Sequence, residues 1–310
     1  MKPRNGFAAA CALVAALSMA PSPARAALTV TDDTGATLTL AAPPRRIVSL
    51  APGATEMLFA AGAGDRIVAT VFGADEPQAA RKLPRIGDAN ALDWERLVAL
   101  KPDVVIAWKD LTNRLVVESL AKINMKVYFV SARSLDDIPA SMRRLGAMVG
   151  TTAVAGPAAA ALDARIAGIA ARKVRGEPLR VFYMIWDVPL YTVGSRHIIS
   201  DSIGRCGGRS IFNDIDFPAP IVEFESVVKR NPELILMSTT PITARDWRER
   251  WAKFPAIRAV ATRQVVAFSD PRLDRMGPTA IDAVEGLCVR MDAVRSALAA
   301  ADQPGPSAQK

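Results

Sequence analysis

The chain has 310 residues, 50% of them apolar and 23% charged. That is enough apolar material for a large buried core, and it excludes a disordered or fibrous protein; the length suits one large domain or two lobes. The net charge of +8 is spread thinly, with no Lys/Arg block interleaved with aromatics, which argues against nucleic-acid binding.

Residues 1–26 read as a secretory signal. Lys2 and Arg4 give the positive start, 7–20 an apolar run, and Ala24-Arg25-Ala26 a small-x-small cleavage site after Ala26. The run is shorter than the roughly 20 residues of a bilayer span, so an exported protein is expected rather than an anchored one. Cys11 leaves with the leader. Cys206 and Cys288 remain, in a compartment that permits disulfides. They are either bridged, worth on the order of 4 kcal/mol in the loop-entropy model, or two buried thiols.

Residues 29–31 and 37–40 flank Asp32-Asp33-Thr34-Gly35 and predict a short hairpin. A strand at 47–50, a turn at Pro52-Gly53, a helix over 55–61 and a strand at 67–71 follow, an order that predicts a parallel sheet. The strongest signal is an internal repeat. The block 94–106 (WERLVALKPDVVI) matches 224–236 (FESVVKRNPELIL), each a helix closed before X-Pro and then a buried strand. Arg46-Ile47-Val48 corresponds to Arg180-Val181-Phe182, and 64–68 to 208–212. The expected architecture is therefore α/β: two similar lobes with central parallel sheets, joined by a long rigid helix, with a ligand cleft between them. The N-terminal lobe is 27–134, the linking helical segment 135–178, the C-terminal lobe 179–301, and 302–310 a disordered tail. The linking helix, over 152–174, would be roughly 35 Å long, with Pro157 tolerable only in its first turn.

Catalysis has little support. His197 is the one histidine, and neither G-x-S-x-G, a P-loop nor G-x-G-x-x-G occurs. One imidazole and two cysteines do not make a zinc site. The expectation is a non-enzyme with no metal and no resident cofactor. The carboxyl ends of parallel strands face the crevice in such lobes, and aromatics fall there: Phe72, Trp108, Trp186 and Tyr191, pointing to a flat, largely apolar ligand. Asp270 and Arg275 are candidate polar contacts, with Asp187, Arg196 and Arg272 in loops of the same crevice. Trp94, Trp247 and Trp251 read as core. Glu95 and Glu225 hold the same position in the two repeats, so a two-fold partner could use both. His197 reads as a cap on the helix after it.

Arg46 to Glu56 (RIVSLAPGATE), 95–108, Pro189-Leu190-Tyr191-Thr192-Val193-Gly194 and Cys206-Gly207-Gly208-Arg209-Ser210-Ile211-Phe212 together resemble the helical-backbone class of periplasmic substrate-binding proteins of ATP-driven importers, most closely its cobalamin-binding branch. The resemblance implies capture of a corrinoid by a periplasmic monomer and delivery to a membrane permease dimer. It further implies a Cys206 to Cys288 disulfide, ligand contacts from Trp108 and Tyr191, and docking of Glu95 and Glu225 onto permease arginines. Ala219 stands where that branch has an aromatic. Haem or an iron–siderophore chelate is the alternative cargo, with Tyr191 or His197 as an iron ligand; a sensor that docks a signalling receptor is a further alternative.

Overall fold

The computed structural model describes residues 27–88, 91–174, 176–238, 241–268 and 270–301. The predicted leader with its cleavage point, Cys11 and the predicted tail lie outside these residues. The hairpin forms as expected: β1 (Leu28–Thr31) pairs antiparallel with β2 (Thr37–Leu40), and Asp32 closes the turn by accepting the backbone N–H groups of Thr34 and Ala36.

The first lobe runs β3 (Ile47–Ser49), α1 (Pro52–Ala60), β4 (Ile67–Ala69), α2 (Trp94–Ala99), β5 (Val104–Trp108), α3 (Arg114–Lys122) and β6 (Val127–Val130). Pro52 and Gly53 belong to α1 itself, because proline at a helix's first position forfeits a donor that has no intrahelical partner anyway. Next come α4 (Asp137–Val149), ended by Gly150 in the left-handed region, and α5 (Thr152–Ala170). The second lobe runs β7 (Leu179–Met184), α6 (Ile198–Arg205), β8 (Gly208–Ser210), α7 (Phe224–Arg230), β9 (Leu234–Met237), α8 (Pro241–Ala252), α9 (Arg258–Ala261) and β10 (Val265–Ala267). It closes with α10 (Pro271–Arg275) and α11 (Ala280–Ala301).

Each lobe holds one four-stranded parallel sheet, in the orders β4-β3-β5-β6 and β8-β7-β9-β10, so the two are laid out alike. The repeat read from the sequence is thus a repeat of topology. Its third correspondence differs in detail: Gly64 opens a 3-10 turn ahead of β4, whereas Gly208 is already the first residue of β8. Within the linking segment the long helix differs from the expectation in two details. The link is the pair α4 and α5, α5 ends at Ala170 rather than near 174, and Pro157 lies beyond its first turn. Pro157 is tolerated because it sits on the exposed side with Ala153, whose carbonyl loses its N–H donor where water can replace it.

Alternation along the strands splits the interior into three regions. Ile47, Val104, Ile106 and Tyr128 of one sheet and Val181, Tyr183, Leu234 and Leu236 of the other join a single core with α1, α4, α5, α6 and α11. The opposite sheet faces pack separately, Val48, Val105 and Ala107 under α2 and α3, and Phe182, Ile235 and Met237 under α7 and α8. Trp247 and Trp251 are buried there as expected; Trp94 is half-buried. The Cys206–Cys288 disulfide, with Cα atoms 4.7 Å apart, ties the end of α6 to α11 inside the shared core.

Candidate functional site

Strands β3 and β5 end at the seam between the lobes. Gly53 is required there, because a Cβ on it would lie 2.1 Å from the Arg275 carbonyl oxygen and 3.1 Å from the Trp108 ring. Beside this contact Glu56 of α1, 3% exposed, accepts hydrogen bonds from Arg275 Nε (2.7 Å), the Thr279 hydroxyl (2.6 Å) and the Thr279 backbone N–H (3.2 Å). A second clasp crosses at Asp201, which accepts from the Leu135 N–H and pairs with Arg205, itself bonded to Asp136.

Between the clasps lies a cavity of about 240 Å³. Trp108, Asp110, Leu111 and Ala132 line it from the first lobe, and Arg196, His197, Ile198, Phe217, Pro218, Ala219 and Met276 from the second. Trp108 is the last residue of β5, at the strand's carboxyl end as expected; only 2% exposed, it forms an apolar floor. The opposite wall is a ribbon in which Thr192 and Gly194 donate to the carbonyls of Pro220 and Pro218. Gly194 is obligatory, since its Cβ would sit 2.1 Å from the Phe217 carbonyl oxygen. This ribbon sets Phe217, 58% exposed, on the cavity rim.

The other aromatics stand farther out. Phe72, which follows β4, and Trp186, which follows β7, are exposed at the carboxyl ends of their sheets. Tyr191 is half-buried and bridges both Trp186 and Ile221 through its backbone. The structure therefore brings Trp108 alone of the four into the cavity wall and sets the rest around the seam.

The two polar candidates are engaged within the protein. Asp270 caps α10 and holds Arg272 through both carboxylate oxygens, so the guanidinium lowers its carboxyl pKa below the usual range. Arg275 is committed to Glu56. Asp274, between them, accepts from Tyr183 and Ser238, and its burial raises its pKa.

His197 combines two roles. Its Nδ1 accepts the Ile199 N–H at 3.1 Å and caps α6, as the sequence suggested. An acceptor Nδ1 places the ring proton of the neutral imidazole on Nε2. The side chain is nearly buried, and this burial, opposed by Asp110, lowers its pKa to about 4, so the ring is neutral at pH 7. Nε2 carries a hydrogen rather than a free lone pair, which denies iron or cobalt this ligand unless the cap breaks.

Glu95 and Glu225 are both exposed, each in the first turn of its helix, α2 and α7. Helices that connect parallel strands run against them, so both helices start at the end of the molecule where the strands finish, the end that carries the cleft. Among the described residues neither glutamate is engaged in an ion pair.

Phe217, Met276, Asp110 and Leu111 were not foreseen as cavity residues. The exposed Phe217 beside Ala219 was the one visible signal, an aromatic two positions from the site where one was missed.

The periplasmic binding protein family matches residues 47–270. The vitamin B12-binding protein of Pectobacterium carotovorum subsp. carotovorum (strain PC1) is 30% identical over 269 residues, 86% of this chain and 92% of that protein. The vitamin B12-binding protein of Vibrio cholerae serotype O1 (strain M66-2) is 32% identical over 247 residues, 79% of this chain and 88% of its own length. Among solved structures, the periplasmic vitamin B12 binding protein of Vibrio cholerae superposes with a TM-score of 0.72 at 30% identity, covering 82% of this chain and 98% of that one. The apo periplasmic heme-binding protein of Roseiflexus sp. RS-1 shares the fold, with a TM-score of 0.67 at 24% identity over 81% of this chain and 98% of that one.

Proposed function

We propose, since the chain belongs to the periplasmic binding protein family, that it captures a corrinoid at the seam between its lobes and delivers it to an inner-membrane ATP-driven importer. The observation that carries this reading is the interlobe cavity floored by Trp108 and rimmed by Phe217, with Phe72 and Trp186 exposed at the neighbouring strand ends. Similarity over most of the chain to vitamin B12-binding proteins supports the choice of cargo.

Binding follows from these groups without chemistry. The cavity is smaller than a corrinoid, so it takes one edge or side arm of the ligand, while the exposed aromatics cover more of the ring. Apolar area withdrawn from water drives association at about 25 cal/mol per Å² before the cost of immobilisation. The corrinoid is cargo; no reaction step and no resident cofactor are invoked. Glu95 and Glu225, near the cleft end of each lobe, offer a pseudo-symmetric pair of negative charges to arginines on a permease dimer, and the receptor acts as a monomer. Localisation follows the family: export to the periplasm, with cleavage after Ala26.

Haem is the alternative cargo; His197 cannot serve as its axial ligand while it caps α6, which leaves Tyr191 for that role. The test is to pass the protein, mixed separately with cyanocobalamin and haemin, through gel filtration and follow visible absorbance. A corrin spectrum eluting with the protein in stoichiometric amount is the expected result. Elution of haemin alone, or of neither chromophore, would overturn the corrinoid assignment.

A further inference from the structure

His197 is 8% exposed and lines the interlobe cavity, and only one of its two ring nitrogens is used by the protein. Nδ1 is held by the Ile199 N–H; among the described residues Nε2 has no hydrogen-bond partner. Nor is it sealed away with the fully buried unpaired polar atoms. The cavity is its outlet, so a donor that the fold leaves unsatisfied faces the place where the ligand enters. A ligand that fills the cavity takes this donor out of water, so it must supply an acceptor in exchange or leave the donor unpaired.

We infer that His197 is a specificity-determining residue, whose Nε2–H donates a hydrogen bond to an amide carbonyl on the periphery of the bound corrinoid. This rests on the corrinoid reading and deepens it. The acceptor is assigned as a neutral carbonyl for electrostatic reasons. The Asp110 carboxylate lines the same cavity and disfavours an anion, and Arg196, which could attract one, lies 3.8 Å from Asp216. The floor beside the donor is the Trp108 ring, with Met276, Leu111 and Ala219 around it. A directional donor beside this apolar floor selects orientation: an arm that presents a carbonyl is accepted, and one that presents a methyl or a second donor leaves Nε2 unpaired at a cost.

Two substitutions separate this contact from the capping role. Asparagine places an acceptor where Nδ1 lies and is among the preferred helix caps, but it is too short to replace Nε2. Glutamine carries an amide N–H out to about the position of Nε2 but caps poorly. His197→Asn is expected to keep the thermal midpoint close to that of the parent protein and to weaken cyanocobalamin binding roughly two- to tenfold, the range of one neutral hydrogen bond. His197→Gln is expected to recover most of that affinity with a lower midpoint. Dicyanocobinamide, which keeps the ring amides and lacks the nucleotide arm, should show the same loss with His197→Asn. Unchanged affinity in His197→Asn, or affinity that follows the thermal midpoint in both variants, would refute the donor role while leaving the corrinoid reading intact. A loss confined to cyanocobalamin would refute the ring-amide assignment. If the parent protein binds neither corrinoid, the inference falls with the reading it rests on.

Discussion

Replacing Glu56 by alanine tests whether the two lobes are held together by the clasp at their seam. The carboxylate is 3% exposed, and the Arg275 side chain facing it 15%. Truncation leaves a charged Nε–H, a hydroxyl and a backbone N–H without their acceptor, 219 to 223 residues away in sequence. Breaking a buried ion pair from one side costs about 3–5 kcal/mol, because the remaining charge stays uncompensated. Arg275 keeps a little contact with solvent, which places the expectation at the lower end, about 3 kcal/mol. Glu56→Gln, which retains an oxygen for Thr279 but loses the charge, should cost about 2 kcal/mol. Urea unfolding followed by far-ultraviolet circular dichroism reads both. Arg275→Met adds the cycle: with both charges removed, the double variant should be markedly more stable than the sum of the single losses implies. A Glu56→Ala loss below about 0.5 kcal/mol, the usual scatter of a surface substitution, would refute the idea that this clasp holds the seam.

Further outcomes are expected from the same structure. Burial lowers the His197 pKa to about 4 in the folded protein, against about 6.5 unfolded, so the unfolded chain binds more protons between these values. Stability therefore rises with pH across that window and is level above it; acidification from pH 6.5 to 4 removes up to about 3 kcal/mol through this group. Arg196 and Asp110 face the same cavity, so the check is the stability gap between the parent protein and His197→Asn at pH 7 and pH 4.5; a gap that does not move with pH contradicts it. Replacing both Cys206 and Cys288 by serine should cost on the order of 4 kcal/mol in the loop-entropy model, read by the urea midpoint; an unshifted midpoint contradicts it. Charge reversal at Glu95 and Glu225 together should abolish cobalamin uptake by cells while the purified protein still binds cyanocobalamin. Intact uptake would favour a sensor role.

Much of the frame was legible because it is local and repeated. Residues 94–106 and 224–236 share a helix, an X-Pro break and a strand of Val, Ile and Leu, and a unit that occurs twice must be laid out twice. The cap at His197 was legible for the same reason, since donor and acceptor are two residues apart. What escaped detection depends on contacts between lobes. Arg275 looked like a free loop cation because nothing near it in sequence reveals that Glu56 waits across the seam. Met276 enters the cavity wall only because α10 stops there with Met276 in a left-handed conformation. Pro157 shows the limit of a rule about helix interiors, which holds for shielded carbonyls and relaxes for one that faces water.

The single core that runs through both lobes has a consequence for how the molecule withstands its surroundings. Side chains from both sheets and from α1, α5, α6 and α11 share one interior, so neither lobe can open without exposing apolar surface of the other. A protease working on the native protein gains access to most of the backbone only through global opening, and its rate then follows the stability of the whole chain. Half-molecules made by dividing the chain at 171–178 should be insoluble alone, so a chimera that grafts a foreign binding lobe onto this one must carry α5 and α11 with the half it keeps.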